Sequence, residues 1–417
     1  MTASNNNIAL RDGVLPDHEI RKMIDEEIIT SDHPISDERI QPASLDLSVS
    51  GEGYRVGKIT CSDFVPERVR QALGNDGKLD LSQRIRQEAD VYYLVRNQES
   101  FELPYNIRAY ANPKSTSGRD NQQVRLLTEN DTRFDCVPAG YKGNIWIEMV
   151  PSSFPITFAE ETSFNQIRFF RGKTECDQNA LRIIHSLEPL IYTRDGIPFA
   201  DEQLRIQDFG TGKPGIILTL DLKCGRAADH IVGYRSKKNI DKTINYFSSI
   251  APPPEGKLDP EEFFDPITGP LTHYNLEPGY LYILGTLERF RVPSQLCATF
   301  ANYDASFGEL RAHYAGFFDP GWGYLYQKIV KEDGTVSYIL IPEHSRGATA
   351  TLEILVQGTR SIRVRHGQEI ASAIFDIMAS NPSRPYRFIE GEKERSNYGD
   401  QPEARLSKHF KPWPVLK

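Results

Sequence analysis

The chain has 417 residues, of which 25% are charged and 39% hydrophobic, and carries a formal net charge of −8. That balance describes an ordinary globular protein long enough for two domains. It disfavours a general nucleic-acid or membrane-surface binder, which would be basic, and no apolar run approaches the ~20 residues of a membrane span.

Taken in chain order, Ile20, Met23, Ile24 and Ile28 recur at helical spacing and predict a helix over 17–29, with Asp17 as N-cap after Pro16. Beyond it the texture changes to short runs rich in Ile, Val, Tyr and Phe, broken by Gly, Pro, Asn and Asp. Strands are expected over 44–49, 91–95, 143–150, 215–222, 280–284, 350–356 and 371–378. The fold class is therefore mainly β, a tandem pair of β-barrel or jelly-roll domains with a few short helices. The pattern breaks near 171–180, which places the domains at 1–175 and 176–417. Residues 324–346 read as a hairpin insertion around Asp333-Gly334, leaving from beside Gly323 and so able to wall a pocket. The stretch 381–417 is charge-rich with little periodicity and is expected to be a mobile or partner-docking tail. The five cysteines are widely spaced, with no Cys-x-x-Cys, and the N-terminus has neither the basic region nor the apolar stretch of a signal peptide. A reducing, cytoplasmic setting is the expectation.

The chain repeats itself. Ala111-Asn112-Pro113-Lys114-Ser115-Thr116-Ser117-Gly118-Arg119 returns as Ala301-Asn302-Tyr303-Asp304-Ala305-Ser306-Phe307-Gly308-Glu309, with Ala111 to Ala301 and Gly118 to Gly308 both 190 residues apart. Trp146-Ile147-Glu148 answers to Thr351-Leu352-Glu353, and Pro138-Ala139-Gly140 to Asp319-Pro320-Gly321. A period this long is a duplicated domain, since each copy can enclose a core. The copies have decayed in complementary ways. The first keeps the cations and hydroxyls of Lys114, Ser115 and Arg119, where the second has Asp304, Ala305 and Glu309. The second keeps Asp319, where the first has Pro138, and both keep the strand glutamate.

Lys114 to Arg119 supplies two cations, three hydroxyls and a glycine, the set a phosphate needs, although polar loops of this composition are common. It is not a Walker loop. Asp319-Pro320-Gly321-Trp322-Gly323 is a tight turn whose Trp322 could equally fill a core. Glu353 stands in an apolar strand, where an acid is either paired structurally or acts as a general base with a pKa raised by desolvation. No His-x-Glu and no Pro-Cys-x-x-Cys occurs, so a catalytic zinc site of that motif type cannot be built.

Together the Lys-Ser-Thr-Ser-Gly-Arg segment, the acidic turn and the Thr-Leu-Glu strand resemble the dCTP deaminase branch of the trimeric dUTPase superfamily. Ile40-Gln41-Pro42-Ala43-Ser44-Leu45-Asp46-Leu47, Leu94-Val95-Arg96 and Tyr398-Gly399-Asp400-Gln401 extend the resemblance over most of the chain. It implies zinc-independent hydrolysis of dCTP to dUTP and ammonia by a homo-oligomer, a trimer or pseudo-hexamer, with no tightly bound cofactor. Mg²⁺ would enter only with the triphosphate. By the same resemblance Ser115, Thr116 and Arg119 clamp the triphosphate, Glu353 is the base with Glu148 next in line, Asp319 touches the deoxyribose and Ala315 helps read the pyrimidine. Lys114, Gln166, Trp322, Tyr386, Tyr398 and Gln401 are added as candidate substrate contacts. The complementary decay points to a composite site, one per chain, in which the clamp of copy one faces the nucleoside pocket of copy two. Rival readings are dUTP diphosphatase, a bifunctional enzyme, and a non-catalytic nucleotide-binding or assembly protein.

Overall fold

The computed structural model describes residues 11–57, 67, 71, 77–129, 131–208, 213–223, 230–250, 256–301, 310–313 (backbone only), 316–356, 358–395, 398–399 and 403–414. Among them the duplication reappears as a duplication of strand pairing. In the first half Ile107–Pro113 pairs with Asn165–Arg171, which pairs with Ser44–Leu47. In the second half Leu296–Phe300 pairs with Glu369–Ile377, which pairs with Gly215–Asp221. The opposing layer runs Gln122–Thr128, Lys142–Pro151, Tyr92–Glu102, Val49–Val56 in the first half. It is matched by Leu310–His313, Thr351–Val356, Leu281–Thr286, Ile231–Ser236 in the second. These pairings are all antiparallel, and the protein is mainly β, as the alternating runs led one to expect.

The two halves are not merely tethered. Ile244–Asn245 of the second half runs parallel to Ile156–Phe158 of the first, inside a three-stranded sheet completed by Ile85–Gln87. A single apolar cluster gathers Val95, Ile147, Phe158 and Phe164 from the first half with Tyr234, Phe263, Leu281 and Ile283 from the second. Helix α1 (Asp17–Asp25) and helix α2 (Ser115–Arg119) lie in the first half, and helix α3 (Gln178–Leu187) opens the second. Asp177 caps α3 by accepting the Ala180 N–H at 2.8 Å, and Leu181 drops into the second half's core.

Three expectations need correction. The first helix stops at Asp25 because Glu27 takes a left-handed backbone (φ 58°) and the Ile28 N–H turns back to the Met23 carbonyl. Ile29–Ser31 then leaves as a strand beside Tyr92–Glu102. The N-cap is Pro16; the Asp17 carboxylate instead accepts the Ser383 N–H at 2.9 Å.

The region beyond 381 is structured wherever it is described. The insertion forms the expected hairpin, Tyr326–Val330 with Val336–Leu340, and Phe388–Glu390 with Lys393–Arg395 widens it to four strands. Further on, Ala404, Leu406, Phe410 and Trp413 sit in the joint core, with Phe410 against Phe263 and Phe264 and Trp413 against Tyr234. Their irregular spacing among Arg, Lys and His hides this burial from any periodicity test, because each side chain drops singly into a core built by other elements.

Candidate active site

Every residue of Thr351–Val356 is buried, but its two faces differ. Leu352, Ile354 and Val356 enter the second half's own core. Glu353 and Leu355 face the other way, toward the junction, where Leu355 joins the cluster shared with the first half. Glu353 is thus an acid on the face that receives the other copy.

The group it receives is Arg119. The segment read as a polar loop is the single helical turn α2, which starts after extended Lys114 and presents Arg119 from its last position. Arg119 Nε lies 3.5 Å from Glu353 Oε1, with the two side chains 4% and 3% exposed. The guanidinium is held from two further sides. Its Nη1 donates to the Arg405 carbonyl at 3.0 Å, and its plane lies over the Tyr398 ring, 3.9 Å from the centroid. Burial pushes the Glu353 carboxyl up to about 8; Arg119 and a backbone hydrogen bond oppose the shift without cancelling it.

The remainder of α2 is fixed by the same tail. Thr116 Oγ1 and the Tyr398 hydroxyl share a hydrogen bond of 3.1 Å, and that hydroxyl accepts the Lys408 N–H at 3.1 Å. Asp120, just after α2, accepts from the Tyr246 hydroxyl at 2.9 Å and lies 2.8 Å from His409 Nδ1. At the other end Ser115 abuts Gly316 of the second half, whose carbonyl accepts from Asn112 Nδ2 at 3.3 Å. Gly316 has φ +107°, a backbone that other residues rarely adopt, and a β-carbon there would come within 2.3 Å of Ser115 Oγ, which would have to swing aside.

Close contact at Gly316, a cation from one copy and an acid from the other form one constellation within a single chain. The unlike halves meet here without a neighbouring chain. The model of the 2'-deoxycytidine 5'-triphosphate deaminase (DCD) N-terminal domain matches residues 11–173, and that of the DCD C-terminal domain matches residues 199–410.

The chain belongs to the dCTP deaminase family. A dCTP deaminase of Sulfurisphaera tokodaii is 28% identical over 158 residues, 38% of this chain and 79% of the relative. The crystal structure of a 2'-deoxycytidine 5'-triphosphate deaminase from Agrobacterium tumefaciens superposes with a TM-score of 0.73 at 29% identity. That match covers 89% of this chain and 100% of the other.

Lys114 ion-pairs with Asp46, and Gln166, opposite Asp46 on the neighbouring strand, reaches the Pro113 carbonyl at 3.5 Å. Both therefore belong to the base of the α2 segment. Asp319 is buried and bonded to Arg168 Nη2 at 2.7 Å, while Arg168 also donates to the Ala298 and Phe318 carbonyls. Burial raises the Asp319 pKa and Arg168 opposes it.

Trp322 and Tyr386 pack on each other at 5.6 Å, Trp322 also meeting Phe318 at 4.9 Å, which makes them part of the second half's aromatic core. Glu148 occupies the ladder position equivalent to Glu353, opposite Leu94 and Arg125 rather than Ile283 and His313. Ala315, Gln401 and the copy-two residues Asp304, Ala305 and Glu309 lie outside the described residues.

Sequence reasoning missed Arg168, Asp120 and His409. Arg168 left a legible trace, a cation inside the apolar run Ile167-Arg168-Phe169-Phe170. Asp120 and His409 left none, being ordinary polar residues 289 positions apart that only the fold brings together. No helix among the described residues is long and apolar enough to cross a membrane. Cys136, Cys176 and Cys297 are free thiols, and burial raises the pKa of each.

Proposed function

We propose that the chain performs its family's reaction, dCTP and water to dUTP and ammonia, at one site per chain assembled from α2 of the first half and Glu353 of the second. The observation that supports it best is the buried Arg119–Glu353 pair. A carboxyl with a pKa near 8 can both release and regain a proton close to neutral pH, as a base that relays protons must. As a carboxylate, Glu353 takes a proton from the water that adds to C4 of the pyrimidine. That proton passes to N3 of the ring; Glu353 then carries the proton of the new C4 hydroxyl to the 4-amino group, the C4–N bond breaks, and ammonia departs, leaving the C4 carbonyl of dUTP. Arg119 balances the Glu353 charge in its ionised state and, with Ser115 and Thr116, faces the phosphates. Mg²⁺ would travel with the triphosphate, held by phosphate oxygens and water. No zinc is required on this reading.

The diphosphatase reading needs a free carboxylate in the acidic turn to aim water at phosphorus. Asp319, the residue in that turn, has its carboxylate committed to Arg168. Incubation with dCTP and with dUTP separates the readings: ammonia release from dCTP supports the deaminase, pyrophosphate release from dUTP the diphosphatase, and neither product a binding protein.

A further inference from the structure

A cavity of about 620 Å³ opens beside α2; its wall includes Lys114, Thr116, Lys408 and His409 together with the carboxylates Glu38, Asp46 and Glu161. Its two lysines are in different states. Lys114 is committed to Asp46 and lies 3.4 Å from Ser163 Oγ. Lys408 has no carboxylate within ion-pair distance among the described residues. Lys408 is exposed at the cavity, yet desolvation by the surrounding atoms and then the charge of Lys114 lower its pKa, while Asp46 and Asp120 attract it too weakly to compensate. An ammonium beside another ammonium gains whatever stability an entering anion supplies.

The backbone that carries Lys408 is pinned on both sides. Its own N–H donates to the Tyr398 hydroxyl at 3.1 Å, and that hydroxyl is bonded to Thr116. The next residue, His409, is bonded to Asp120, which Tyr246 also engages. Each anchor ties the tail to α2 or to the residue that follows it. The backbone of this exposed lysine is therefore a fixed part of the same cavity wall as Thr116.

We propose that Lys408 is a substrate-binding residue: with Lys114 it receives the distal phosphates of the nucleotide in this cavity, so that the site gauges the length of the phosphate chain. The proposal takes from the deaminase reading only the identity of the nucleotide. Each phosphate removed from the substrate withdraws charge-assisted hydrogen bonds from the two ammonium groups while leaving the contacts of the nucleoside end in place.

The test is equilibrium binding of dCTP, dCDP and dCMP at fixed Mg²⁺ to the Glu353→Gln protein, in which the chemistry is removed, with and without a change at Lys408. Lys408→Gln should weaken dCTP by about ten- to a hundredfold, dCDP less, and dCMP hardly at all. Lys408→Arg should keep most of the dCTP affinity. An equal loss for all three nucleotides, with Lys408→Arg no better than Lys408→Gln, would make the residue a structural prop and overturn the proposal. So would unchanged dCTP binding. Wild-type protein that releases no ammonia from dCTP, yet shows the graded loss, would sink the deaminase reading and leave Lys408 standing.

Discussion

Glu148 and Glu353 are the same residue of the repeat, on the same strand and at the same ladder position, yet they live in different surroundings. Glu353 points out of its own half into the joint between halves, where Arg119 meets it. Glu148 points to the face that carries Tyr54, Leu94, Leu127 and Trp146, a small cluster drawn from its own half. Its cross-strand neighbour Arg125 is ion-paired with Asp135 at 3.1 Å. Position in the repeat therefore does not set the chemistry; the element that arrives from the other copy does.

That contrast can be broken first at the glutamates. Glu353→Gln should lower kcat for ammonia release by about 10²–10⁴ while nucleotide binding survives, and Glu148→Gln should stay within a few-fold of wild type. The reverse ranking would move the site to the first half. Next in size, Arg119→Ala strips the buried carboxyl of its cation and, on the proposed reading, the nucleotide of a charged donor. Affinity for dCTP should fall about a hundredfold, and unfolding should occur at lower temperature, since breaking a buried pair costs about 3–5 kcal/mol. Glu309→Ala, at the matching position of the other copy, should bind normally, and titration of the wild type should count one nucleotide per chain.

The pH dependence should be smaller in amplitude. Glu353 stands at about 8 in the folded protein against 4.5 for an ordinary glutamate. The working carboxylate is then scarce below about 8, so kcat/KM should rise with pH up to that point, roughly tenfold per unit on the acid limb, and level off above it. Stability should run the other way. Between about 4.5 and 8 the folded protein holds a proton that the unfolded chain has released, so this group's contribution declines as pH rises through that window. Removing Glu353 should flatten both curves together. The smallest expected effect is none at all: exhaustive zinc chelation, with Mg²⁺ restored, should leave turnover intact. A loss reversed only by zinc would rule out the metal-free reading.

Much of this was legible in the chain. The 190-residue repeat and the alternating runs carry the two-unit β architecture, because strands declare themselves through local composition and period 2. The split between Lys114–Arg119 in one copy and Asp319 with Glu353 in the other carried the pairing of unlike halves. The ambiguities lay where a side chain's direction depends on packing. Trp322 could line a pocket or fill a core, and its aromatic neighbours put it in the core. Asp319 could be free or paired, and only the fold brings Arg168 across to it. The tail was read as loose because buried residues that each enter someone else's core have no period of their own.

The short parallel pairing of Ile244–Asn245 with Ile156–Phe158, together with the aromatic cluster around it, has a consequence for how the molecule comes apart. Two duplicates that had stayed independent would melt separately, and a lesion in one would spare the other. Here each half supplies wall material that the other lacks, so heat should produce one cooperative transition in which calorimetric and van't Hoff enthalpies agree. Neither half should fold when expressed alone, and protease cleavage near the 171–180 join should fail to release a compact fragment. Fusion has turned a pair of repeats into a single unit of selection, in which the loss of a cation by one copy is tolerable only because its twin cannot leave.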